Sequence, residues 1–210
     1  MADLLLDAQG TPTAPSSGQV VLYPDSSTKQ YTSRDVDGRC LSFGGAIRNW
    51  NTADVVANAA ETYLTGSLLA VPQHGLQVGA TMKWRLFMTK TAAGIAAPIW
   101  RVRIGTAGTT ADAQILIFTG PAQTAVVDTG FVEVTAILRN VGAAGILAGG
   151  LIMNHNLAAT GFANIGSPTL ANTSAGFNTT VASLKIGLTV NPGSAGVWTH
   201  QVVKGELLNV

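Results

Sequence analysis

Three histidines, His74, His155 and His200, have the most chemistry to offer in this 210-residue chain. A protein metal site gathers several imidazole, thiolate or carboxylate ligands around one ion. No two of these histidines stand at the spacing of helix ligands, and none falls in a metalloenzyme motif. His74 precedes Gly75 in a loop, and His155 sits in Asn154-His155-Asn156 at a strand end. His200 alternates with Trp198 and Val202 along one strand face. Each reads as structural. The sharper alternative is a histidine that meets its symmetry copies around a metal on a threefold axis.

The acids do not pair for catalysis. Asp35 and Asp37 flank a turn beside Arg34 and Arg39, which reads as an ion-paired turn. A calcium loop needs a longer run of oxygen ligands. Asp112 follows a Gly/Thr loop in position to brace it, while Glu133 and Glu206 lie in strands, facing solvent or a basic partner. Gly105-Thr106-Ala107-Gly108 lacks the Gly-Lys-Ser/Thr ending and the following helix of a phosphate loop. No Gly-x-Ser-x-Gly elbow occurs. The single cysteine, Cys40, excludes an intrachain disulfide and a Cys-rich zinc site, and reads as a buried small hydrophobe. No catalytic residue, metal or cofactor is expected, and the chain is not expected to be an enzyme. Of the four tryptophans, Trp84 and Trp198 fall on apolar strand faces. Trp50 and Trp100 are the candidates for partial exposure and for contact with a ligand such as a host surface glycan.

The elements that carry these residues read as β-strands. In Thr81–Lys90, Met82, Trp84, Leu86 and Met88 alternate with Lys83, Arg85 and Thr89, which sets four apolar groups on one strand face. Pro98–Ile104 opposes Ile99, Arg101 and Arg103 to Trp100, Val102 and Ile104. Gln114–Phe118 is a short apolar strand, and Phe131–Leu138 aligns Val132, Val134, Ala136 and Leu138. Strands are also expected at Glu61–Leu69 with a break at Gly66, at Ala144–Met153, at Val181–Val190 and at Val197–Leu208. Residues 51–64 allow either a capped helix or a strand. About eight regularly spaced strands after residue 60 point to an all-β fold, a jelly-roll-like antiparallel β-sandwich. The expected organisation is an extended anchoring arm over 1–18, a small β-hairpin attachment unit over 19–50, and the jelly roll over 51–210.

Composition points to contact with other chains. Only 11% of residues are charged, against about 25% in a typical soluble domain. The 45 residues from Asn140 to Leu184 hold no Asp, Glu, Lys or Arg. Charge is depleted at subunit interfaces because an unpaired ion is costly to bury. The apolar anchors of this stretch, Ile146, Leu147, Leu151, Met153, Phe162, Ile165 and Phe177, are therefore expected to form an oligomer interface. At the other end, Leu4, Leu5 and Leu6 precede a tether containing Pro12 and Pro15. Such an apolar cluster on an extended linker fits a plug that docks into another protein. Met1–Asp7 lacks a basic region and a cleavage site, so no signal peptide is expected. Val141–Met153 is too short and too Gly-rich for a membrane span. A net charge of +1 gives no sign of a nucleic-acid partner.

Thr11-Pro12-Thr13-Ala14-Pro15-Ser16-Ser17-Gly18-Gln19-Val20-Val21-Leu22-Tyr23, followed by Lys29-Gln30-Tyr31-Thr32-Ser33-Arg34-Asp35, resembles the N-terminal attachment segments of tailed-bacteriophage fibre and decoration proteins. Thr89–Gly94 and Arg103–Ala113 resemble the β-sandwich domains that follow in such proteins. The resemblance implies a component of the virion exterior. It would be a homo-oligomer, a trimer in such proteins, with its arm bound to a capsid, neck or tail protein. The lack of a repetitive shaft favours a head fibre or capsid decoration protein over a short tail fibre or receptor-binding module.

Overall fold

The computed structural model describes residues 21–24, 31–34, 40–42, 46–71 and 75–209, and contains no helix among them. Strands β1 (Val21–Pro24), β2 (Tyr31–Arg34) and β3 (Cys40–Ser42) form an antiparallel meander. The remaining strands form two antiparallel sheets. They are β4 (Ala46–Asn51), β5 (Val55–Ala57), β6 (Thr62–Tyr63), β7 (Leu69–Ala70), β8 (Thr81–Lys90), β9 (Ile99–Gly105), β10 (Ala113–Thr119), β11 (Asp128–Asn140), β12 (Ile146–His155), β13 (Thr169–Thr173), β14 (Lys185–Asn191) and β15 (Trp198–Leu208).

The seven-stranded sheet runs β13-β12-β11-β8-β15-β4, with β5 also on β15. The five-stranded sheet runs β10-β9-β14-β6, with β7 also on β14. Successive strands mostly cross from one sheet to the other: β5 to β6, β7 to β8, β8 to β9, β10 to β11, β13 to β14 and β14 to β15. Leaving out the β12–β13 hairpin, the two orders are β4-β15-β8-β11 and β6-β14-β9-β10, the interleaved double Greek key of a jelly roll. The hairpin widens one sheet at its β11 edge.

Alternation decides what faces inward. Met82, Trp84, Leu86 and Met88 of β8 are fully buried, as are Val132, Val134, Ala136 and Leu138 of β11. Trp100, Trp198 and Phe162 meet at one end of the core, with ring centroids 5.4 Å apart for the tryptophans and 5.0 Å for Phe162 on Trp198. Each such aromatic buries enough surface to contribute roughly 4–6 kcal/mol of transfer free energy.

Several expectations are corrected here. Trp100 is fully buried, because it shares the inward face of β9 with Val102 and Ile104. Leu147, Leu151, Met153 and Phe162 are fully buried within the sandwich, so they cannot meet another subunit. The reason is pairing: β12 lies between β11 and β13, so its alternate residues face the five-stranded sheet. Phe177 is half-buried against the same core, leaving Ile146 half-buried and Ile165 exposed. The stretch is charge-free because one side is core and the other carries Ala148, Gly150 and Ile152. A bulge between His200 and Val202 shifts the phase of β15, turning Val203 inward and Val202 outward. Neither β13 nor β4 is expected from the sequence, while 51–64 takes the strand alternative at β5 and β6 and contains no helix. The arm residues Leu4, Leu5, Leu6, Pro12 and Pro15 lie outside the described residues.

Candidate functional site

The outward face of the seven-stranded sheet is built in four rows across the strands. The first row runs Val202–Phe87–Phe131–Asn154. The second runs Trp50–Lys204–Arg85–Glu133–Ile152. The third runs Arg48–Glu206–Lys83–Thr135–Gly150, and the fourth Leu208–Thr81–Ile137–Ala148. Trp50 is 65% exposed, Phe87 51%, and Ile137 and Ile152 45% each. Phe87 and Phe131 pack as tilted rings with centroids 5.0 Å apart, Phe87 exposed and Phe131 half-buried.

The charges between these apolar groups form two small networks. Glu133 accepts from Lys83 Nζ at 2.9 Å and from Arg85 Nε at 3.0 Å. Burial alone would raise the Glu133 pKa, but the two cations outweigh it and hold the carboxyl below its ordinary value. Glu206 lies 2.9 Å from Lys204 Nζ and 3.4 Å from Arg48 Nε. The Lys204 hydrogen bond lowers its pKa against a smaller burial effect. The face thus holds four basic and two acidic side chains beside its aromatic row.

The opposite face, outside the five-stranded sheet, is polar and closed. Arg103 donates to both oxygens of Glu61, at 2.6 and 2.8 Å, and Thr189 Oγ1 donates to Glu61 as well. Arg101 Nη1 lies 3.4 Å from Glu61 without hydrogen-bond alignment. Burial pushes the Glu61 pKa up, and Arg103, Thr189 and Arg101 together bring it below the ordinary value. Tyr63 lies over Gly187, where any side chain would collide with its ring. Burial raises the Tyr63 pKa, and its hydroxyl has no hydrogen-bond partner among the described residues. Asp112 braces the Gly/Thr loop as its position implied, accepting from the N–H groups of Ala107, Gly108 and Thr109.

A third polar group pins the loops at the tryptophan end. Lys90, 2% exposed, aims Nζ at the carbonyls of Thr91, Ala93, Thr124 and Val126, at 2.8 to 3.2 Å. Burial lowers its pKa, with Asp128 acting in the opposite sense. Asp128 accepts from Phe162 N and lies 2.9 Å from His155 Nδ1, both side chains fully buried. His155 Nε2 is occupied by the Ile165 carbonyl at 3.3 Å. With Phe162 N and the Ile165 carbonyl as its further partners, the pair fastens the loop to β11 and β12.

His155 and His200 stay apart, three strands from one another across the seven-stranded sheet, and His74 lies outside the described residues. His200 is fully buried, with Nδ1 3.2 Å from the Val55 carbonyl and Nε2 without a partner among the described residues. Burial pushes its pKa down to about 4. Among the described residues, no three His, Cys, Asp or Glu side chains gather to hold a metal ion. A cleft of about 770 Å³ opens between Val71, Leu76, Val141 and Thr179–Leu184, lined among the described residues by apolar, hydroxyl and backbone groups. Sequence reasoning missed Phe87 and Phe131. The signal was present: Phe87 is the one large apolar residue on the polar side of an otherwise regular alternation.

No protein-family model matches the chain, and no curated protein matches it. Among solved structures, a protein of unknown function from Shewanella oneidensis MR-1 aligns over 78% of this chain and 87% of its own, at 8% identity and a TM-score of 0.38. That likeness is too slight to bear on function.

Proposed function

We propose that this chain is a structural component of a phage particle, a small head fibre or capsid decoration protein. Its jelly roll associates with copies of itself, and the segment before Gly18 docks on the particle. The observation that carries the reading is the outward face of the seven-stranded sheet. It leaves Trp50, Phe87, Ile137 and Ile152 in solvent within one continuous surface. Its contiguous apolar part is Phe87 against Phe131, and contiguous exposed apolar surface marks sites of association. The resemblance of the first 35 residues supplies the particle. Sedimentation equilibrium of the purified chain tests the first half: an oligomer is expected, and a monomer at micromolar concentration refutes it. Deleting residues 1–18 tests the second. The truncated protein should remain a soluble oligomer and lose incorporation into particles, whereas wild-type occupancy would rule out the anchor.

A second reading, a receptor- or carbohydrate-binding module, is favoured by one residue. Trp50 presents an aromatic face beside Lys204. Glycan binding that Trp50→Ala removes would establish it.

A further inference from the structure

We propose that a second copy of this chain covers the outward face of the seven-stranded sheet, packed face to face about a twofold axis running along β8. This rests on the self-association reading above and adds which atoms meet. The four rows described above span five strands, from β4 to β12, and one outward residue per row along each long strand. At about 4.8 Å per strand and about 6.8 Å per outward residue, that is roughly 650 Å² in projection. Side-chain relief brings it toward the ~800 Å² per partner of a stable association.

Register makes the face self-complementary. A twofold along β8 carries β15 onto the partner's β11 and β4 onto the partner's β12 while keeping each row in place. In the first row Phe87 then meets Phe87 of the partner subunit, and Val202 meets Phe131 of the partner subunit. In the second, Trp50 meets Ile152 of the partner subunit, and Lys204 meets Glu133 of the partner subunit. In the fourth, Leu208 meets Ile137 of the partner subunit. Each apolar group named here finds an apolar group, and the Lys204–Glu133 match pairs opposite charges. Arg85 and Lys83 fall on the axis against their own copies, and each already holds Glu133 as counter-ion. Turning the second copy end over end instead would set Phe87 against Thr81, Ile152 against Gly150 and Arg85 against Lys83. The match therefore selects the axis along β8, a twofold in place of the threefold that the phage resemblance implies.

Disulfide trapping tests this in the full chain carrying Cys40→Ser. Phe87→Cys should oxidise to a covalent dimer, because residue 87 faces itself across the axis. The double variant Trp50→Cys/Ile152→Cys should also trap a dimer, since within one copy the two positions are four strands apart. Ile95→Cys, exposed in a loop off this face, should not. An oligomer by native mass that neither variant traps overturns the packing and leaves the structural reading standing. A trimer trapped by neither variant does the same. A monomer overturns both.

Discussion

Outside the five-stranded sheet, Glu61 holds Arg101 and Arg103, Thr189 donates to the same carboxylate, and Tyr63 lies across Gly187. Outside the seven-stranded sheet, Phe87 and Trp50 stand more than half in solvent, with ion pairs threaded between apolar side chains. The first face uses its polar groups on one another and leaves little for a partner. The second leaves its most apolar groups uncovered. A buried charge network contributes to one chain's fold only while every member is present. Exposed aromatics contribute little until another surface removes them from water. The same residue types therefore serve stability on one side of the sandwich and association on the other.

Breaking the closed face should have the largest effect. Glu61→Ala strands Arg101 and Arg103 with little solvent, and should cost about 3–4 kcal/mol in urea unfolding. A loss below about 1 kcal/mol would mean that the network is peripheral. Acid titrates the same contact: the depressed Glu61 pKa gives stability that is present above pH 4.5 and is lost as pH falls through the folded value.

A second acid effect comes from inside. His200 ionises near 4 in the folded chain and near 6.5 when unfolded, so the unfolded state binds more protons between those values. Stability should fall as pH drops from 6.5 toward 4, by about 3 kcal/mol at about 1.4 kcal/mol per pH unit. His200→Gln, which keeps a donor for Val55, should flatten that window in pH-dependent unfolding and leave the Glu61 slope below it.

On the open face the order of effects reverses. Phe87→Ser should change single-chain stability by less than about 1 kcal/mol, yet shift the sedimentation profile to the monomer. The smallest effect belongs to the exposed ion pairs. Lys204→Ala should alter stability by a few tenths of a kcal/mol, with its main signature a weakened salt dependence of association.

Much of the jelly roll was legible because its long strands alternate cleanly. Met82 to Met88 and Val132 to Leu138 could face only one way. Short strands gave no such signal: Val55–Ala57 and Leu69–Ala70 are too brief to establish a period, and long-range pairing with β15 and β14 defines them. The face was harder to see than the fold. Charge depletion over Asn140–Leu184 reports burial of any kind, and most of its large residues went to the core. Trp50 and Ile152 lie about a hundred positions apart in the chain, and only the register through β15, β8 and β11 puts them in one row. Glu61 with Arg103 is likewise a product of pairing that no local spacing encodes.

Lys90 has three ammonium protons and four backbone carbonyls around them. To an amine-reactive reagent that side chain is therefore absent while the chain is folded, whereas half-buried Lys185, on the other sheet, is within its reach. Acylation at Lys90 then reads out, residue by residue and without a chromophore, how often the loops at the tryptophan end come away from the sheet.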